Sequence, residues 1–176
     1  MSRYFSIIFL LQSFLSFGQY DTAQFPLPMK NRLIFYESTY NAGGTANKQE
    51  VISRIKKWFA DTSVEVKKKL KPQSKSDDGI SGTVTFKVST NDNGNYYWMR
   101  SLVTIAPTDS GYTYQSYNFF EKPTFPGITN DWSKIEYRWG DFRRGKPWST
   151  DDARLFKGIH ATSLSLIDSL EKEVTR

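Results

Sequence analysis

Three consecutive stretches of this chain have the residue pattern of β-strands, and this pattern constrains the fold more than any other feature. Apolar and polar residues alternate from Ile80 to Val88 and again from Tyr97 to Ile105, and Tyr112–Phe120 is rich in aromatic residues. A period of two predicts half-buried strands. Polar turn clusters at Thr90–Asn95 and Ala106–Gly111 separate the three stretches. We therefore predict an antiparallel meander.

Two helices are predicted, one before the meander and one after it. Asn47 is a suitable N-cap for the first helix, and apolar residues recur at helical spacing from Val51 to Phe59. The second helix begins near Ser149 or Thr150, either of which can cap it. Gly158 lies early in this helix and weakens it by about 1 kcal/mol relative to alanine, which leaves room for a frayed or kinked start.

The remaining apolar segments complete the predicted sheet. Leu33–Tyr40 is aromatic and apolar and is predicted to be the first strand. Val64–Pro72 fits either a continuation of the first helix or a strand, and the pattern does not choose between them. The predicted fold class is α+β, with an antiparallel sheet of about four to five strands and the N-terminal and C-terminal helices packed on one face.

The first 19 residues have the pattern of a cleavable secretory signal peptide. Arg3 provides a basic start, Phe5–Leu11 is apolar, and Ser16 and Gly18 are the small residues expected before a cleavage point. The alternatives are an N-terminal membrane anchor or a buried helix. We predict an exported protein, periplasmic or secreted, with no membrane-spanning segment after cleavage.

The chain has no cysteine, so it forms no disulfide and lacks the lipid-anchor site of an exported lipoprotein. One domain is therefore expected to be held together by its hydrophobic core. The predicted layout is a signal peptide at 1–19, an extended lead-in at 20–32, an α+β domain at 33–120, an irregular aromatic and basic segment at 121–148, and the C-terminal helix of the same domain at 149–176.

Positive charge is in excess: 24 Lys and Arg residues face 18 Asp and Glu residues, a formal net charge of +6. A basic balance favours anionic partners. In an exported protein these would be an anionic glycan, a lipid headgroup or an envelope protein rather than nucleic acid. The lysines at 67, 68, 69 and 71 either meet an anionic surface or form a solvated edge strand, since edge lysines discourage pairing between sheets. We favour the edge strand.

The segment 132–148 is the predicted ligand-binding surface, because it interleaves aromatic rings with basic side chains. Rings beside guanidinium groups suit sugar rings, acidic glycans or planar groups. The alternative is a structural plug, in which the rings pack on the sheet and the arginines lie over them. The predicted ligand-binding residues are Trp132, Tyr137, Arg138, Trp139, Arg143, Arg144 and Trp148.

The sequence contains no catalytic or metal-binding motif, so we expect no cofactor and more readily a binding protein than an enzyme. His160 is the single histidine, and its helical spacing with apolar residues predicts a core or boundary position rather than a metal ligand. A carboxylate-dependent hydrolase remains the alternative, and a structural module that assembles through a sheet edge is the third hypothesis. The carboxylates available to a hydrolase include Asp77, Asp78, Asp131 and Asp141.

Three segments resemble a known family. They are "RIKKWFADT" at Arg54–Thr62, "DDGISGTVTFKV" at Asp77–Val88 and "GYTYQSYNFF" at Gly111–Phe120. Through these segments, the range 33–120 resembles a family of domains of unknown function with a TBP-like fold. The family is found in exported proteins of Bacteroidetes-type bacteria. The resemblance implies a curved antiparallel sheet with helices on one side, and it implies no activity.

Overall fold

A computed structural model describes residues 27–41, 47–71, 79–109, 111–125, 127, 130–138 and 149–176. The predicted signal peptide at 1–19 lies outside these residues. Neither helix in the described ranges combines the length and the hydropathy that a membrane crossing requires.

The described chain forms eight strands and two long helices, and residues 135–138 add one helical turn. In chain order the elements are β1 (Met29–Lys30), β2 (Leu33–Ile34), β3 (Tyr36–Asn41), α1 (Lys48–Ala60), β4 (Val66–Leu70), β5 (Ile80–Ser89), β6 (Tyr96–Pro107), β7 (Gly111–Pro123), β8 (Ser133–Lys134) and α2 (Thr150–Thr175).

All strand pairs are antiparallel. The main sheet has the order β3-β7-β6-β5-β4, with β8 paired to β7, and β1 and β2 form a separate two-stranded sheet. The predicted meander is β5-β6-β7 at the centre of the main sheet. The predicted α+β class with an antiparallel sheet is confirmed, and the ambiguous segment 64–72 contains strand β4 rather than more helix.

The structure differs from the prediction in two segments, the predicted first strand and the segment 121–148. The predicted first strand is broken at Phe35, so that Leu33–Ile34 pairs with β1 while Tyr36–Asn41 joins the main sheet. The segment 121–148, predicted to be irregular, begins as the end of β7 and contains β8 and the helical turn. Two-residue strands such as β8 have no periodicity to detect, because pairing with a neighbour creates them.

Both helices begin at the residues that the sequence predicts. Asn47 Oδ1 accepts a hydrogen bond from the backbone N of Glu50 at 2.9 Å. Ser149 and Asp152 form a reciprocal capping box at the start of α2, with 3.1 Å between the backbone N of Asp152 and Ser149 Oγ. Such caps satisfy backbone N–H groups that have no partner within the helix.

Both helices pack on the same face of the main sheet, and the hydrophobic core lies between the helices and the sheet. Residues at alternate positions of β5 and β6 face this core, together with the buried residues of α1 and α2. Trp58, Phe59, Phe86, Phe119 and Phe156 are among its largest buried side chains. Burial of each such side chain is worth about 1.5–3 kcal/mol.

Gly158 has a packing role that the helix pattern did not predict. α2 continues unbroken through Gly158, and a Cβ at this position would collide with Cγ1 of Val88 on β5. The start of α2 is therefore not frayed at Gly158. Glycine is present because the helix backbone lies directly against the sheet, which is a requirement of tertiary contact and not of helix propensity.

Candidate functional site

The face of the main sheet opposite the helices carries a cavity of about 530 Å³. We call this surface the open face. A volume of this size falls within the range of small-molecule sites. Its lining comes from four neighbouring strands and the residue after β4: Lys67, Lys69, Lys71, Thr83, Thr85, Arg100, Ser101, Leu102, Asn118 and Phe120.

Four cations line this cavity, and we call them the basic patch: Lys67, Lys69, Lys71 and Arg100. The three lysines occupy alternate positions, which places them on one side of an extended strand. Strand β4 is the last strand in the sheet order, as the edge-strand hypothesis predicted. Within the described ranges, no ion pair joins any of the four cations to a carboxylate. The patch is therefore a concentration of uncompensated positive charge.

Aromatic rings contact two of these cations, Arg100 and Lys67. The guanidinium carbon of Arg100 lies 4.3 Å from the ring centroid of Trp132 and 5.2 Å from that of Phe120. The Nζ of Lys67 lies 5.4 Å from the ring centroid of Trp98. Cation–π contacts of this kind hold a cation in place without neutralising it. Arg100 and Lys67 are thus positioned while their charge remains available to a ligand.

A β-bulge shapes the far side of the cavity. Arg100 pairs with Phe120 and Leu102 pairs with Tyr117, so two residues of β7 lie opposite Ser101. One of them, Asn118, has a φ of +54°, a conformation that asparagine adopts more readily than most residues. The bulge places both Asn118 and Phe120 in the cavity lining, although an uninterrupted strand would place Phe120 on the helix side with Tyr112 and Tyr114. Bulges are over-represented next to functional sites.

A second charged cluster lies on the helix side of the sheet, and it is organised in the opposite way. Nε of Arg138 donates to Glu121 Oε2 at 2.9 Å, and Nη1 donates to Asp152 Oδ1 at 2.7 Å. Nη2 donates to the Tyr97 hydroxyl at 3.0 Å. Arg138 thereby joins the helical turn after β8 to β6, to β7 and to the start of α2.

Burial dominates the titration of this cluster. Burial raises the pKa of Glu121, and the nearby Arg138 opposes that rise. Burial alone would lower the pKa of Arg138, but the charges and hydrogen bonds of Glu121, Tyr97 and Asp152 together outweigh it, and the pKa lies above its ordinary value. Arg138 therefore remains charged, and the carboxylates of Glu121 and Asp152 both accept hydrogen bonds from it.

The structure separates the predicted ligand-binding residues that it describes. Trp132 borders the basic patch through its contact with Arg100. Tyr137 is 70% exposed, whereas Arg138 belongs to the helix-side cluster. The other four predicted residues, Trp139, Arg143, Arg144 and Trp148, lie outside the described residues.

The residues considered for catalysis do not form a site in the described part of the chain. The ring of His160 lies beside Tyr36, with 3.2 Å between Nδ1 and the tyrosine hydroxyl, as expected for a boundary residue. Asp131 is exposed, and Asp77, Asp78 and Asp141 lie outside the described residues. No group of three or more acidic, histidine or cysteine residues within the described ranges could hold a metal ion.

Sequence reasoning missed the role of Arg100, Asn118 and Phe120. Alternation along β6 places Arg100 on the other face of the sheet from the core residues Tyr97 and Met99, so the face on which Arg100 lies could have been inferred. What could not be inferred is the strand order, which brings the lysines of β4 to the same cavity. The sequence groups Lys68 with the three lysines of the basic patch, but Lys68 faces the helices. Its Nζ lies 4.3 Å from the ring centroid of Trp58.

Comparison with known proteins supports the fold and no more. The solved structure of a DUF4468 family protein from Bacteroides ovatus is similar, with a TM-score of 0.65 and 8% identity, over 89% of this chain and 95% of that one. A TBP-like protein from Parabacteroides distasonis is similar with a TM-score of 0.56 and 15% identity, over 82% of this chain and 97% of that one. No protein-family model and no curated protein matches the sequence.

These neighbours confirm the predicted TBP-like fold and match the kind of family that the sequence resembles: a domain of unknown function from Bacteroidetes-type bacteria. A shared fold does not transfer a function. The function must therefore be argued from the basic patch.

Proposed function

We propose that this chain is an exported, non-enzymatic module that binds an anionic group in the cavity of the open face. The observation that carries the proposal is the set of four cations that share one cavity and have no carboxylate partner among the described residues. Anions bind most strongly through charge-assisted hydrogen bonds from such side chains. Ring contacts hold Arg100 and Lys67 before a ligand arrives, which lowers the entropy cost of binding.

A carboxylate-dependent hydrolase is not favoured by any described contact. Hydrolysis of a glycoside needs two carboxylates that flank the scissile bond. The two carboxylates that the described structure brings together, those of Glu121 and Asp152, both bind Arg138. Neither one is left to transfer a proton or to attack a substrate.

The binding proposal is tested by thermal unfolding of the full chain after signal cleavage, with and without candidate ligands. Phosphate, sulfate and galacturonate are the anionic probes, and galactose is the neutral match for galacturonate. An anion at a hundred times its dissociation constant should raise the free energy of unfolding by about 2.7 kcal/mol. Galactose should produce no shift.

Matched variants separate the cavity from general charge effects. Lys69→Gln and Arg100→Gln remove cations from the patch, and Lys56→Gln removes an exposed cation from α1. We expect a smaller anion-dependent shift in the first two and an unchanged shift in the third. An equal shift in all three variants, or no shift with any anion, would contradict the proposal.

Export is tested separately by determining the N-terminus of the protein recovered from the periplasm or the medium. A mature chain that begins near Gln19 or Tyr20 supports the proposal. A chain recovered only from the cytoplasm, still beginning at Met1, would overturn the export prediction without touching the binding prediction.

A further inference from the structure

The geometry of the basic patch points to a linear anionic polysaccharide as its ligand, and this inference rests on the proposed anion-binding function. The lysine row is long, the cavity is wide, and neutral hydrogen-bonding groups lie between the cations. The neighbouring aromatic rings already contact cations of the patch.

The lysine row is longer than a small anion. Residues in an extended strand rise about 3.3–3.4 Å each, so Cα atoms of Lys67 and Lys71 are separated by about 13 Å. Lys71 keeps to the strand line beyond β4, because its backbone N donates to the carbonyl O of Ser81 at 2.9 Å. A single phosphate or sulfate group can therefore contact only part of the row.

The cavity is about as wide as the lysine row is long. Its lining runs across β4, β5, β6 and β7, and three gaps between neighbouring strands span about 14 Å. The cations lie on β4 and the segment just after it on one side and on β6 on the other, with Thr83 and Thr85 of β5 between them. A ligand that meets all four cations must carry several negative charges along an extended body.

The neutral groups of the cavity suit a sugar backbone. Thr83 and Thr85 provide hydroxyl groups and Asn118 provides an amide, and all three can exchange hydrogen bonds with sugar hydroxyls. Acidic polysaccharides combine such hydroxyls with a carboxylate or sulfate on successive units. The alternation of charge and hydroxyl in the ligand would match the alternation of lysine, threonine and arginine across the strands.

Two other classes of polyanion fit less well. Single-stranded nucleic acid binds to open grooves by stacking its bases on aromatic rings, but Arg100 already lies over Trp132 and Phe120, and Lys67 over Trp98. A membrane surface is held by apolar side chains that enter the lipid. None of the large apolar side chains exposed in the described part of the chain belongs to the cavity lining.

Isothermal titration of the full mature chain with galacturonate oligomers, from monomer to hexamer, tests the inference. Affinity should rise at least about tenfold between monomer and hexamer, because each added charge-assisted contact is worth about a factor of ten or more. Affinity should also fall steeply as salt is added, since several charges are neutralised together. A parallel series of sulfated oligosaccharides distinguishes a carboxylate from a sulfate as the preferred anion.

Variants on the two sides of β4 provide the control. Lys69→Gln and Arg100→Gln should each weaken hexamer binding about tenfold, the loss expected for one charged hydrogen bond. Lys68→Gln changes the same residue type on the same strand but on the helix side, and it should leave hexamer binding unchanged. Each variant is first checked for the wild-type circular dichroism spectrum.

The outcomes separate this inference from the function on which it rests. Failure of every anion to bind would overturn both. Binding of monomeric galacturonate or inorganic phosphate as tightly as the hexamers would keep the anion site and overturn the polysaccharide inference. Tighter binding of oligothymidylate or of vesicles containing anionic phospholipid, with loss in Lys69→Gln, would overturn it in favour of a nucleic acid or a membrane surface.

Discussion

The two faces of the main sheet each carry an arginine, and the two side chains are held in different ways. On the helix side, Arg138 donates to Glu121 and Asp152 and is only 26% exposed. On the open face, Arg100 lies between two aromatic rings and has no carboxylate partner among the described residues. The first arrangement uses the charge to join parts of the fold. The second arrangement holds the cation and leaves its charge for a ligand.

Positive charge in this domain is therefore held in two different arrangements, which the count of Lys and Arg residues cannot distinguish. We propose that neutralised charge matters for stability and that the charge of the basic patch matters for binding. Three charge substitutions and one packing substitution test the two faces, in order of decreasing expected effect on stability.

The largest effect is expected from Arg138→Met. Removal of the guanidinium leaves Glu121 and Asp152 buried without their partner, and loss of one member of a buried ion pair costs about 3–5 kcal/mol. The matched substitution Arg100→Met on the open face should cost about 1 kcal/mol or less, the value of an exposed cation–π contact. Urea unfolding of both variants measures the difference, and equal losses would break the distinction between the two faces.

A second test concerns how closely the helix side is packed. Gly158→Ala should destabilise the protein by about 1–3 kcal/mol, since the new methyl group meets Val88 in a well-packed core. This outcome opposes helix propensity, which favours alanine over glycine by about 1 kcal/mol. The double variant Gly158→Ala/Val88→Ala should show a smaller loss than the sum of its two single variants. An additive double variant would show that the two residues do not collide.

Glu121→Gln provides a pH-dependent test of the helix-side cluster, because glutamine keeps the shape of the side chain and does not titrate. Burial raises the pKa of Glu121 in the folded state above its ordinary value of 4.5, so the folded protein binds this proton more tightly than the unfolded chain. The contribution is fully present below the ordinary pKa and is lost as the pH rises through the raised pKa.

The measurement is the difference in unfolding free energy between wild type and Glu121→Gln across the pH range from the raised pKa of Glu121 down to its ordinary pKa. Wild type should gain stability relative to the variant as the pH is lowered through this range. The opposite slope would mean that Arg138 lowers the pKa of Glu121 more than burial raises it.

The smallest effect on stability is expected from Lys69→Gln. Its side chain lies on the edge strand in the basic patch, where like charges repel one another weakly through solvent. The free energy of unfolding should change by no more than about 0.5 kcal/mol, as for most surface substitutions. A loss above 1 kcal/mol would show that the basic patch also serves the fold and would blur the comparison of the two faces.

Much of the fold could be predicted from local pattern, and less of the candidate site. The alternation along β5 and β6 and the capping residues Asn47 and Ser149 placed the central strands and both helix starts, because each depends on neighbours in sequence. Strand β8 was missed because its two residues become a strand only by pairing with β7. Uninterrupted alternation along β7 would place Phe120 on the helix side, and the bulge at Asn118 turns it to the open face.

Residue identity and short-range geometry are enough to predict the antiparallel meander, the helix caps, the basic charge balance and the lack of any disulfide. Which charges are compensated depends instead on the tertiary contacts. Arg138 meets Glu121 and Asp152 across 17 and 14 residues, and the lysines of β4 reach the cavity of Arg100 through the order of the strands. Electrostatic compensation depends on distance in space, and distance in sequence does not report it.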